Sequence, residues 1–334
     1  MKKITTKKIL LLLLGLIIFG FILYINKDFS WRSLLGVNIT YLTLSFFTSL
    51  IMCGLFSYRW GLIVNYVQKA KVMSFIEYFF YYTLSFLIGS FTIHEPVSFT
   101  ARVAALKASK KISLFKATSA TLIERIFDLI NLLLVVVPSL LFFLNIISLG
   151  LALALSCLAI ALLIVFIIFI NKDVSHLLFI LYKLAIRVIK KIPFLQKRID
   201  TAKLLDETQS IVFTKPFSIK LVLISFVKFL SRGLLFYLLF KTFNINIPLG
   251  VVIMSIPITQ LALFISFTPG GIGIFEAGWF VILKVIAIAP EDISTFLVGQ
   301  RVVMLLFIPL MTLIIYAVIM LKKKPCSPVS LPDS

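Results

Sequence analysis

Several charged side chains stand where a hydrophobic chain has to find a use for them. Glu276 lies in the segment Phe267-Thr268-Pro269-Gly270-Gly271-Ile272-Gly273-Ile274-Phe275-Glu276-Ala277-Gly278-Trp279, and Arg301 in the next apolar run. Lys228 and Arg232 are one helical turn apart in another run, and Glu124-Arg125-Ile126-Phe127-Asp128 opens a fourth. On insertion scales an ionisable group at bilayer depth costs roughly 2.5–3.5 kcal/mol, so it faces a bundle interior, pairs, or meets a ligand. Glu276 and Arg301 can neutralise one another, contact a substrate, or do both. Arg125 and Asp128 share a helical face and allow a local ion pair. Arg125 can equally fork onto a phosphate, with the bidentate geometry that Lys lacks. Lys228 and Arg232 are like charges with no acid beside them, which calls for an anion or a partner carboxylate such as Glu276. Gly270, Gly271 and Gly273 permit a turn and close approach to a headgroup. A helix opening near Ile274 would turn its first N–H groups toward an anion.

The chemistry expected of this set is binding. There is no GxxxxGK[ST] and no HExxH, and Cys53, Cys157 and Cys326 show no paired spacing. We therefore expect no catalytic residue, no metal and no cofactor. The longest polar connection is about 50 residues, below the usual domain of about 100–150, so catalysis by this chain alone is not expected.

The elements that position these residues follow from composition. Apolar residues make up 61% of 334 and charged ones 14%, with a mean hydropathy of +1.12, which excludes a soluble domain. Runs near 9–25, 37–57, 75–93, 126–147, 149–170, 221–243, 247–267, 270–288 and 293–320 approach the roughly 20 residues needed to span about 30 Å of hydrocarbon. The expected fold is an all-α polytopic membrane protein of about eight transmembrane helices. Residues 1–322 form one integral membrane domain, followed by a short tail, 323–334. Irregular backbone such as 268–273 persists in a membrane only where it lines a polar cavity or is buried in protein.

The net charge of +20 follows the positive-inside pattern and gives no support to nucleic-acid binding. Lys2, Lys3, Lys7 and Lys8 precede the first run, seven Lys and Arg fill 183–203, and Lys322 to Lys324 follow the last run. This places both termini and the 171–220 loop in the cytoplasm of a cell-membrane protein. Residues 174–192 carry Leu177, Leu178, Leu181, Leu184, Ala185 and Val188 among basic positions, the pattern of a helix lying on a membrane surface. The connections 58–74 (Arg59, Lys69, Lys71) and 101–125 (Arg102, Lys107, Lys110, Lys111, Lys116, Arg125) both belong on the cytoplasmic side. One crossing between them would separate them, so re-entrant or broken helices are expected around 75–116.

The chain also matches itself. Ser90-Phe91-Thr92 recurs as Ser266-Phe267-Thr268 (266 − 90 = 176), and Glu124-Arg125 meets Gln300-Arg301 at the same offset. An internal repeat is expected, with halves near 37–147 and 221–320, parallel or inverted. In transporters, interrupted helices at corresponding positions of two repeats mark the central site.

The stretch Thr268 to Ala277 followed by Arg301 resembles the second signature of the flippase-like transmembrane region of lysylphosphatidylglycerol synthetases. Glu124-Arg125-Ile126-Phe127-Asp128 resembles that family's first-half E-R-x-x-D signature, and Arg102 stands where its upstream arginine is expected. The resemblance covers about residues 10–320. Where the family often has a Pro-Gly-rich first break, this chain has Thr92-Ile93-His94-Glu95-Pro96-Val97-Ser98. The resemblance implies movement of an anionic or aminoacylated phospholipid, or of a polyprenyl-phosphate-linked lipid, between leaflets. It implies Arg102, Glu124, Arg125, Asp128, Pro269, Gly270, Gly271, Gly273, Glu276 and Arg301 as substrate-binding residues, to which the mid-run cations Lys228 and Arg232 are added from their own charge. The alternative is a membrane-embedded accessory or transferase component of lysylphosphatidylglycerol or glycolipid synthesis. A membrane lipid is the expected partner, with a lipid-synthesis enzyme and a second copy of the chain as further candidates.

Overall fold

The computed structural model describes residues 16–21, 24, 36–92, 94–108, 112–169, 213–266 and 268–322. The surface helix expected over 174–192, most of the 171–220 loop and the 323–334 tail lie outside the described residues. Nine helices follow residue 36 among the described residues: α1 (Ile39–Gln68), α2 (Phe75–Ser90), α3 (His94–Ala108), α4 (Leu114–Phe143), α5 (Leu149–Phe169), α6 (Lys215–Thr242), α7 (Leu249–Ile265), α8 (Ile274–Val285) and α9 (Pro290–Lys322). Five of them, α1, α4, α5, α6 and α9, are long and apolar enough to cross a membrane. The protein is a polytopic α-helical membrane protein.

Local chemistry sets the ends. Asn38 caps α1 by accepting from the Thr40 and Tyr41 amides at 3.1 and 3.3 Å. Ser74 and Glu77 close a capping box at the start of α2, satisfying amide donors that would otherwise be orphaned. Gly270, Gly271 and Gly273 have φ of +61, +71 and +85°, backbone that a side chain resists, and they hold the break between α7 and α8.

The helices of the 75–93, 247–267 and 270–288 runs are shorter than the five long ones. The helices there contain 16, 17 and 12 residues, about 18–26 Å at 1.5 Å per residue, short of the ~30 Å core. They belong to two helical hairpins. In the first, α2 leads through a turn at 91–92 to α3, and Arg102 returns to within 5.4 Å of the Tyr82 ring. In the second, the turn at 268–273 leads into α8, where Gly278 packs against Ala262 and Thr259 of α7.

The order long, short, short, long therefore occurs twice, as α1–α4 and α6–α9. Ile39 and Lys215 start α1 and α6 (215 − 39 = 176), and Leu114 and Pro290 start α4 and α9 at the same separation. The packing is reciprocal. The start of α2 meets the end of α9, with the Phe80 and Tyr316 rings 5.8 Å apart. The start of α7 meets the end of α4, where the Ser139 hydroxyl is 3.7 Å from the Met254 sulfur. α1 and α6 lie antiparallel: the Asn38 amide donates to the Thr242 carbonyl at 2.9 Å, and the Thr214 amide donates to the Tyr66 hydroxyl at 3.1 Å. The two sets of four thus run in opposite directions, and their hairpins enter from opposite faces of the bundle.

This arrangement removes the conflict between the two basic connections. The ends of α1 and α3 and the starts of α2 and α4 share one face, because the α2–α3 hairpin returns to the side it left. Arg59 was expected in the 58–74 connection, but α1 continues to Gln68 and carries Arg59 into the interior, fully buried.

Candidate functional site

The tips of the two hairpins meet. The Gly270 amide donates to the Thr92 carbonyl at 2.7 Å, and a Cβ on Gly270 would sit 2.5 Å from the Ser90 carbonyl oxygen. Only glycine lets the two backbones come this close. The second tip is stitched from within: the Ser266 and Thr268 hydroxyls are 2.9 Å apart, and Thr268 donates to the Ile272 carbonyl at 2.7 Å. The Ile272 amide donates to the Pro269 carbonyl at 3.1 Å and the Gly271 amide to the Thr268 carbonyl at 3.0 Å. Hence Pro269, Gly271 and Gly273 shape the turn, while Gly270 lines the cavity beside it.

Arg301, from α9, fastens this tip. Its Nε pairs with Glu276 Oε1, and its Nη1 donates to the Gly270 carbonyl at 2.8 Å. The other Glu276 oxygen accepts from the Gly273 amide at 2.7 Å, so the carboxylate caps its own helix. The start of α8 was expected to offer open N–H groups to an anion; that role is taken up by Glu276, which favours the positive end of the helix. The Arg301–Glu276 pair anticipated from sequence is present. Glu276 is fully buried, behind Arg301.

A second polar network ties the first hairpin to the bundle. Glu124 is clamped between two arginines: Oε1 takes Arg59 Nη2 at 3.2 Å, and Oε2 takes Arg102 Nη1. Arg59 also reaches Asp128 at 2.8 Å and the Ser225 hydroxyl on α6. Lys228 Nζ meets Asp128 Oδ1 at 2.6 Å and lies 4.2 Å from the centre of the Phe56 ring. The carboxylate serving Lys228 is thus Asp128 rather than Glu276. Asp128 is one turn after Glu124, and α4 packs against α6 there. Arg232 stands 5.3 Å from the same Phe56 ring, and Arg125 donates to the Ser98 hydroxyl at 3.4 Å.

These groups surround a cavity of about 230 Å³ near the middle of the bundle. Its wall includes Arg102, Arg125, Lys228, Arg232 and Arg301, with Asp128 as the one carboxylate among them. Of the residues singled out in sequence, Glu124, Pro269, Gly271, Gly273 and Glu276 are not in this wall; the two carboxylates hold Arg102 and Arg301, which are. Arg59 and Gln300 were not singled out. Arg59 carried a usable signal, because Phe56, Trp60, Ile63, Val64 and Val67 continue a helical apolar spacing past it, and all five are buried. Gln300 carried only its alignment with Glu124.

Among the described residues no group of three or more His, Cys, Asp and Glu is placed to hold a metal ion. The arrangement supplies fixed cationic donors in a low-dielectric interior, where a buried anion is held far more strongly than in water.

No curated protein and no solved structure matches the chain. The family model for the lysylphosphatidylglycerol synthase TM region matches residues 9–311, nearly the whole chain, and the chain belongs to that family.

Proposed function

We propose that this protein binds the phosphate-bearing headgroup of a membrane lipid in the central cavity and moves it between leaflets. The observation that carries this reading is the set of five cationic side chains facing one carboxylate in a single cavity among the helices. Buried charge of one sign is costly unless a counter-charge arrives, and a lipid phosphate supplies it. The cavity is smaller than the roughly 300–1,000 Å³ of sites that enclose a drug-sized ligand. It therefore admits a headgroup while the acyl chains remain among the helices.

The inverted arrangement supports movement as well as binding. Two halves of opposite direction around one midplane site are the architecture of alternating access, in which one half rocks against the other. Arg125 and Arg301 occupy equivalent places in the halves 37–147 and 221–320, and both face the cavity. A phosphate held between them changes its exposure from one leaflet to the other as the halves rock. The face bearing Lys69, Lys71, Lys107, Lys116, Lys215 and Lys322 is the cytoplasmic one. The opposite face, with Lys241, Lys284, Glu291 and Asp292, lies outside. Both termini are then cytoplasmic, in the cell membrane.

A second reading follows from the family's description as a synthase region: the same groove presents lipid to a partner enzyme of lysylphosphatidylglycerol or glycolipid synthesis. Reconstitution of the purified protein separates the two. Transbilayer movement of labelled anionic lipid by the protein alone supports translocation. No movement, with lipid modification appearing only in a complex, supports presentation.

A further inference from the structure

Glu124 and Gln300 hold equivalent positions in the two inverted sets of helices, each directly before an arginine that faces the cavity (300 − 124 = 176). In the first set the carboxylate accepts from Arg59 and Arg102, so its oxygens are committed to protein. In the second set the residue is a neutral amide, itself lining the cavity and only 2% exposed. Two donors are left there without a hydrogen-bond partner: Nε2 of Gln300 and Nη2 of Arg301. They come from adjacent residues of α9, both in the cavity wall. Buried N–H donors without an acceptor carry the full desolvation penalty, and two neighbouring ones match the oxygens of a phosphate.

The carboxylates offer no matching welcome to a cation. Glu124 and Glu276 stand outside the cavity wall, each with both oxygens engaged. Asp128, the one carboxylate in the wall, has its Oδ1 between Arg59 and Lys228 and is outnumbered there by Arg102, Arg125, Lys228, Arg232 and Arg301. An ammonium group entering with a headgroup would meet four arginines and Lys228 in the wall.

We propose that Gln300 and Arg301 form the seat for the phosphate oxygens and set the substrate class: a lipid whose headgroup is net anionic and carries no ammonium. Zwitterionic and aminoacylated lipids are rejected. This rests on the lipid-headgroup reading above. The chemistry is shared by a glycerophospholipid phosphodiester, as in phosphatidylglycerol, and by a polyisoprenyl phosphate.

The test is a headgroup series on the purified full chain. Native mass spectrometry reads binding and reconstituted vesicles read movement, using phosphatidylglycerol, a polyisoprenyl phosphate, phosphatidylethanolamine and lysylphosphatidylglycerol. Wild type is expected to bind and move one or both of the first two and to discriminate against the last two by about tenfold or more, since like charges placed together repel. Preference for the phosphodiester or the monophosphate identifies which source of phosphate is used. Gln300→Glu, nearly isosteric, sets a second carboxylate beside Arg301 and should weaken anionic-lipid binding by about tenfold while relieving the discrimination. Equal or better binding of lysylphosphatidylglycerol by wild type overturns the inference and leaves translocation standing. Charge-selective binding with no movement of any lipid overturns translocation and leaves the seat standing. Unchanged selectivity in a folded Gln300→Glu protein removes Gln300 from the seat.

Discussion

The Gly270 amide and the Thr92 carbonyl, 2.7 Å apart, join the tips of two hairpins that enter the bundle from opposite faces. The Gly270 carbonyl in turn accepts from Arg301. One residue therefore couples the first hairpin, the second hairpin and a cavity arginine. A substrate that engages Arg301 acts on the bond that closes the tips.

This contact predicts the behaviour of Gly270→Ala. The +61° φ alone disfavours a side chain by about 1–2 kcal/mol, and the new methyl would press on the rigid Ser90 carbonyl. The variant should show a lower thermal midpoint and impaired lipid movement. Gly150→Ala, where an added Cβ meets nothing within 4 Å, should be indistinguishable from wild type in both measurements.

Glu124 and Glu276 should differ in their weight. Glu124→Ala takes the carboxylate from Arg102 and leaves Arg59 with Asp128 alone; the two arginines are 2% and 0% exposed. Removing one partner of a buried ion pair costs about 3–5 kcal/mol. Glu276→Ala strands Arg301, whose side chain is 27% exposed and keeps its bond to the Gly270 carbonyl. Denaturation in detergent should rank Glu124→Ala as the less stable protein; the reverse order would contradict the placement of the two networks.

The hairpins also fix a labelling pattern. In a background without Cys53, Cys157 and Cys326, Lys69→Cys and Lys107→Cys should both react from the cytoplasmic side, since α2 and α3 return to one face. Asn246→Cys and Ala287→Cys should react from the outside. Opposite sidedness of positions 69 and 107 would mean that the 75–108 region crosses the membrane.

Much of this was legible in the chain, for identifiable reasons. The second break announced itself through Pro269, Gly270, Gly271 and Gly273, because irregular backbone needs residues that tolerate it. The first break has no such glycines; only the two basic flanks implied a return. Arg125 and Arg301 were marked by their common offset. The Lys228–Asp128 pair spans 100 residues and depends on how α4 settles against α6, which no local pattern encodes. Arg59 was misassigned because basic residues near an expected helix end read as orientation signals. Its apolar neighbours continued the helix past it. The direction of the second half relative to the first became evident only from the end-to-end bonds between α1 and α6.

In the proposed mechanism Arg125 and Arg301 grip one lipid phosphate from equivalent positions in opposed halves. The most direct test is movement of labelled anionic lipid in vesicles containing the purified Arg125→Lys, Arg301→Lys double variant. Both substitutions keep the charge and lose the planar fork. The expected result is correctly inserted, folded protein with a fall in lipid movement of at least about tenfold, or ~1.4 kcal/mol, larger than any loss of folded protein read by its thermal midpoint. Movement at the wild-type rate would contradict it and leave both arginines with a structural role alone.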